Sequence, residues 1–287
     1  MNDNRPNLFA SRSGIEQRFP AQFATDWQRR GLVIGTIAAM TGTFIFGLFQ
    51  LEIPFSRLIP GTMQLGDFAR LMLPPEPGSW SNLASYLHAM GETLSIAFLG
   101  TLGGAVLAFP VALLAARNVV ANRIVHFLSR RWLDTIRGVD TLIWALIWVS
   151  VVGLGPFAGI LALVCSDFGT FGKLFSEAIE TADKRPVEGV LSTGGSHMHG
   201  VRFGLLPQVI PVLASQLLYY FESNTRSATI IGIVGAGGIG AQLSEQIRVL
   251  EWQKVAFIIL LILITVAIID WVSSRLRFAI IGKAAAH

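Results

Sequence analysis

Six apolar runs, 31–50, 92–116, 140–153, 156–171, 207–221 and 254–272, divide this 287-residue chain. A membrane crossing needs about 20 mostly apolar residues. Backbone groups inside hydrocarbon find no water and must pair within their own segment, which leaves the helix as the natural solution. The runs therefore predict an all-α, polytopic membrane helix bundle with about six crossings. A composition of 52% hydrophobic and 14% charged residues, with mean hydropathy +0.58, belongs with membrane proteins rather than soluble domains. Runs 140–153 and 156–171 are short and joined only by Gly153-Leu154-Gly155-Pro156, so a broken pair is an alternative there. Segment 228–239 is a candidate seventh insertion, either spanning or re-entrant.

Residues 1–30 read as a polar tail, and 31–287 as one transmembrane domain with an external segment at 51–88 and a cytoplasmic polar stretch at 176–206. Run 31–50 follows Arg29-Arg30 and reads as an uncleaved anchor, because a secretory signal has a shorter apolar region and a small-residue cleavage site. Cytoplasmic flanks carry the excess of Lys and Arg. With both termini and 176–206 in the cytoplasm, all but Arg57, Arg70, Arg226, Arg248 and Lys254 of the 22 basic residues fall on that side. Several prolines break 51–88, and 81–90 reads as a short helix leading into the second span. Positive charge is spread over loops instead of clustered with aromatics on a soluble face, which excludes a nucleic-acid partner.

Conventional reaction chemistry finds little purchase. His88, His126, His197, His199 and His287 show no repeated ligand spacing, and His197 and His199 face different sides of a helix, so no metal site is expected. Cys165 alone excludes an intramolecular disulfide and reads as a buried packing residue. There is no G-x-S-x-G, H-E-x-x-H or Walker sequence. Gly235-Ala236-Gly237-Gly238-Ile239-Gly240 spells a dinucleotide fingerprint, but the acidic residue due about 20 positions later is replaced by the apolar run 258–263. Its glycines read instead as close helix packing or as a bent, pathway-lining segment, the reading that five glycines within 232–240 favour. Asp134, Arg137 and Asp140, three residues apart, predict an ion-pair ladder on one helical face. Arg226 lies about 28 Å along a helix from Pro207. It is either an interface anchor paired with Glu222 or a cation at the outer mouth of a path, with Asn224, Ser227 and Thr229 as neighbouring donors.

The polar stretch has internal order. Pro186 suits the first turn of a helix and Glu188 the positive end of its dipole. Gly194-Gly195 stops that helix, and Ser196 caps a second short one through His199. Such a bent pair is either a tidy connector or an element shaped to dock. Glu188, Gly194 at plus six, Leu206 at plus eighteen and Pro207 at plus nineteen resemble the cytoplasmic EAA loop of permease subunits of bacterial ABC importers. Gly189-Val190 stand where that family has two alanines, and Gly204 where an isoleucine is usual. Leu206-Pro207-Gln208-Val209-Ile210-Pro211, the stretch Tyr219-Tyr220-Phe221-Glu222-Ser223-Asn224-Thr225-Arg226-Ser227-Ala228-Thr229, and Val152-Gly153-Leu154-Gly155-Pro156-Phe157-Ala158-Gly159 look like the phosphonate-type (PhnE-like) permeases. The similarity covers roughly 92–277.

The resemblance implies a type I (MetI-like) ABC importer permease fold in the bacterial inner membrane and a homodimer enclosing one path. It also implies two cytoplasmic ATPase subunits that bind ATP and Mg, an extracytoplasmic binding protein, and no cofactor or catalytic site in this chain. The expected cargo is phosphonate or a related phosphorus oxyanion such as phosphite, hypophosphite or phosphate, moved by alternating access. Coupling would fall to Glu188, Gly189, Leu191, Ser192, Thr193, Gly194, Gly195, Ser196 and Pro207. The path would fall to Asn224, Arg226, Ser227, Thr229, Gly235, Gly237 and Gly238. A passive anion channel, a permease for another small substrate and a membrane-embedded enzyme using Asp134, Asp140 and Asp167 are the alternatives.

Overall fold

A computed structural model describes residues 27–51, 58–120 and 122–284, and among them it contains helices and no strand. Most of the tail expected at 1–30 lies outside the described residues. Helix α1, Trp27–Gln50, opens with Arg29 and Arg30 and carries no charged residue from Gly31 onward. Its Thr36 and Thr43 hydroxyls donate to Leu32 O and Ala39 O, both at 2.8 Å, so each polar group is satisfied by its own helix, as a hydrocarbon surrounding demands. Helix α2, Leu58–Leu71, occupies part of the segment expected to be irregular.

The main bundle begins with α3, Trp80–Ala115, capped by Ser79 Oγ, which accepts from Asn82 N. No break separates 81–90 from the span that follows. Amphipathic α4, Arg123–Arg137, and α5, Thr141–Val152, meet at 82°, so the broken pair is α4 with α5, one element earlier than expected. Helix α6, Pro156–Glu180, lies along α3. Small residues allow this approach: a β-carbon on Gly104 would stand 2.6 Å from Asp167 Cβ. Around the pair, Ala108, Ala112, Phe171, Phe175 and Ile179 form a buried core with Val209 and Leu213. Cys165 is only half-buried.

Because α6 runs to Glu180 with Ser176 and Ile179 buried, the polar interruption begins at Thr181 and not at Ser176. It holds α7, Arg185–Ser192, a single turn at His197–His199 called α8, and a π-helical turn at Gly200–Leu205. Then α9, Leu206–Ile231, passes through a second π turn, Gly232–Ala236, to α10, Ile239–Arg248, and α11, Trp252–Ala284. Segment 228–239 is thus the end of α9 and a break after it, too short for a seventh span. Among the described residues five helical stretches are long and apolar enough to cross a membrane, and a sixth is reached if the bent α4/α5 pair counts as one span.

The expected Asp134–Arg137–Asp140 ladder does not form. Asp134 accepts from Lys173 at 2.7 Å and pairs with Arg131 at 2.9 Å, tying α4 to α6. Asp140 instead caps α5, accepting from Leu142 N at 2.8 Å. A helix start three residues beyond Arg137 claims the carboxylate that spacing alone assigned to an ion pair.

Candidate functional site

The α7–α8 element is built from short-range signals. Pro186 and Glu188 sit in the first turn of α7. At its other end Gly194 takes φ +85°, the left-handed backbone that glycine adopts without cost. Gly194 N donates to Leu191 O at 3.0 Å and Gly195 N to Val190 O at 3.3 Å, the paired bonds of a Schellman stop. Ser192 and Thr193 hydroxyls donate back to Gly189 O and Val190 O, each at 2.8 Å. Ser196 Oγ accepts from His199 N, and Ser196 N donates to His199 Nδ1, a reciprocal cap. No residue of α7 is buried, and Leu191, Met198 and Phe203 present apolar side chains to the outside.

Two contacts fasten this element to α9. A β-carbon on Gly204 would lie 2.7 Å from Val187 Cα and 2.9 Å from Val187 N, so α7 rests on bare backbone of the π turn. The departure from isoleucine at this position thereby has a steric reason. Gln208, next to Pro207, donates to Asp183 O at 3.1 Å and to Gly204 O at 2.6 Å, while its Oε1 accepts from Asp183 N at 3.2 Å.

The C-terminal end of α9 is assembled otherwise. Gly235, Gly237 and Gly238 have φ of +100°, +82° and +71°, a run of backbone that ends the helix and reverses the chain. Gly155 N donates to Gly235 O at 2.9 Å, Ile239 N to Thr93 Oγ1 at 2.8 Å, and Gly238 N to Glu92 Oε2 at 3.3 Å. Glu92 also meets His88 Nε2 at 3.4 Å. The glycine run is therefore bent, the conformation its five glycines favoured, and it packs into the bundle. A β-carbon on Gly237 would stand 2.8 Å from Pro156 N.

The four polar residues expected along a path do not share a face of α9. Asn224 and Thr229 are buried, while Arg226 points outward and pairs with Glu222 at 2.9 Å. Ser227 is half-buried between them. Glu222 also meets Arg277 of α11 at 3.5 Å. Asn224 Nδ2 donates to Thr101 Oγ1 at 2.8 Å and to Asp167 Oδ2, and Thr101 in turn donates to Ala97 O at 2.7 Å. This knot joins α3, α6 and α9 in the middle of the bundle. Sequence reasoning treated Asp167 only as a candidate for catalysis. A lone carboxylate inside an apolar run is itself a signal that a partner must exist, though nothing local identifies that partner as Asn224.

A family model described as "Binding-protein-dependent transport system inner membrane component" matches residues 108–280. The chain is 38% identical to the putative phosphite transport system permease protein HtxC of Stutzerimonas stutzeri, over 93% of this chain and 94% of that protein. It is 37% identical to the phosphate-import permease protein PhnE of Mycolicibacterium smegmatis, over 74% of this chain and 40% of that protein. It is 48% identical to the putative cryptic phosphonate transport system permease protein PhnE2 of Escherichia coli, over 41% of this chain and 97% of that protein. In fold it is similar to a chain of the inward-facing MetNI methionine ABC transporter, with a TM-score of 0.63 at 21% identity over 70% of this chain and 99% of that one.

Proposed function

The chain belongs to the family of binding-protein-dependent transport system inner membrane components, and from that premise we propose that it imports phosphonate, phosphite or a related phosphorus oxyanion by alternating access. It is a multi-pass transport subunit, not an enzyme, and it works with an ATPase and a substrate-binding partner. The observation that carries the mechanism is the exposed α7–α8 element, braced on α9 through Gly204 and Gln208. A partner that seats on Glu188, Gly189, Leu191 and the 192–196 turn and then moves would push α9 along its axis. ATP and Mg belong to that partner, two copies of which would serve a permease homodimer, with both permease termini in the cytoplasm.

The oxyanion reading is supported by relatives whose names carry phosphite, phosphate and phosphonate. Charge is consistent with it. The outward side of α9 presents Tyr219, Arg226 and Ile230, so its one cation would face the second permease copy across the path. Glycines 235, 237 and 238 close the same helix at its far end and would support an outer gate.

The test is uptake in proteoliposomes holding the permease, its ATPase and its binding protein. Labelled phosphonate competed by phosphite, hypophosphite and phosphate should rank the cargo. Glu188→Ala should lower uptake at least about tenfold while the permease still assembles. Nucleotide-independent flux that Glu188→Ala leaves untouched would convert the reading to a passive channel.

A further inference from the structure

At the elbow between α3 and α4, Arg117, Val120, Arg123, His126 and Phe127 line a cavity of about 520 Å³. The nearby Glu180 carboxylate is already engaged, accepting from Arg117 N and from Arg130 Nη2, both at 2.9 Å. Asp134 is held by Lys173 and Arg131. Among the described residues no carboxylate pairs with the guanidinium of Arg117 or Arg123. Arg117 Nε donates to His126 Nε2 at 3.1 Å. A guanidinium can only donate, so Nε2 is the acceptor and the neutral ring carries its proton on Nδ1. That Nδ1 is buried and has no partner among the described residues. The guanidinium donors of Arg117 and Arg123, which line the cavity with no carboxylate to take them, mark the place of an absent acceptor.

The surroundings say which acceptor. Along α4, Ile124, Phe127, Leu128 and Trp132 recur at i, i+3, i+4 and i+8 and are 69%, 61%, 60% and 55% exposed. Arg131 lies over the Phe127 ring at 5.8 Å. An exposed apolar stripe flanked by arginines is the pattern of a helix lying in the membrane interface, with its cations at headgroup depth. Arginine forks match phosphate oxygens in pairs. We propose that this cavity binds a phosphoryl oxyanion, supplied by the headgroup of an anionic phospholipid. The site is separate from α7 and from α9, and the proposal stands whatever cargo the transporter carries.

Native mass spectrometry of the purified full-length permease, offered phosphatidylglycerol and phosphatidylcholine in equal amounts, tests it. The wild type should retain phosphatidylglycerol roughly tenfold better, the order of preference two interfacial arginines supply. Arg117→Gln with Arg123→Gln should abolish that preference. Arg202→Gln with Arg248→Gln removes the same charge elsewhere and should leave it intact. Should the glutamine pair fail to fold, Arg123→Glu on the exposed first turn of α4 carries the same test. In a second arm, inorganic phosphate that displaces the lipid in an arginine-dependent way would keep the oxyanion site and make a soluble anion its competing source. A preference that survives loss of both arginines, or a wild type that binds neither lipid headgroup nor phosphate, overturns the proposal.

Discussion

At its N-terminal end α9 carries an element held together almost wholly by neighbours three to five residues apart. At its C-terminal end it meets a turn held by bonds that reach 146 positions back along the chain. The first region is exposed and the second buried. A body closed on itself by local bonds can be pushed as a unit without disturbing the core. A turn whose donors are satisfied only by other helices cannot shift unless those helices shift too. The difference assigns the two ends of α9 separate work, force entering at one and the bundle's geometry being kept at the other.

The sharpest way to break this comparison is at Gly237. Gly237→Val demands φ +82° of a β-branched residue and drives its side chain into the Pro156 backbone. The cost is on the order of 3 kcal/mol, and thermal unfolding in detergent should show a large loss. An unchanged melting temperature would mean the turn is not fixed by the bundle. Thr93→Val comes next. It removes the acceptor for Ile239 N at a fully buried position and leaves that donor stranded, at a cost of about 1–3 kcal/mol. Uptake and melting should fall together, since the defect lies in the shared framework.

At the other end the two readouts should separate. Gly194→Arg places a side chain on a φ of +85° in open space, which costs about 1–2 kcal/mol locally and touches nothing in the core. ATP hydrolysis by the assembled complex should persist while uptake drops at least about tenfold, the signature of a lost mechanical link. A parallel fall in melting temperature as large as that of Gly237→Val would erase the distinction between the two ends.

The same contrast explains what the sequence disclosed. Pro186, Gly194 and Ser196 are readable because each acts on backbone within a few residues, and apolar length alone announces the spans. The pairing of Glu92 and Thr93 with Gly238 and Ile239 is invisible for the opposite reason, because no local rule links positions 146 apart. The Asp167–Asn224–Thr101 knot was hidden likewise, although its carboxylate stood out within an apolar run. The ladder expected at Asp134, Arg137 and Asp140 failed on a boundary: the helix ended at Arg137, and a new one claimed Asp140 as its cap. The exposed stripe on α4 was legible in principle from the spacing of Ile124, Phe127, Leu128 and Trp132, although it lies in none of the six long apolar runs.

The smallest expected effect is the most discriminating for the lever itself. Ser196→Ala deletes an exposed cap that binds only His199, three residues on, and should cost about 1 kcal/mol of local order. Global melting should scarcely move, because no core side chain loses a contact. Hydrogen exchange should quicken from Ser196 through Gly200 and leave 232–240 unchanged, since the bonds at that far turn run to α3 and to Gly155 just ahead of α6 and none runs to the lever. If exchange rises at both ends of α9, the helix transmits even small disorder along its length, and the local bonds of the α7–α8 element do not insulate it from the bundle.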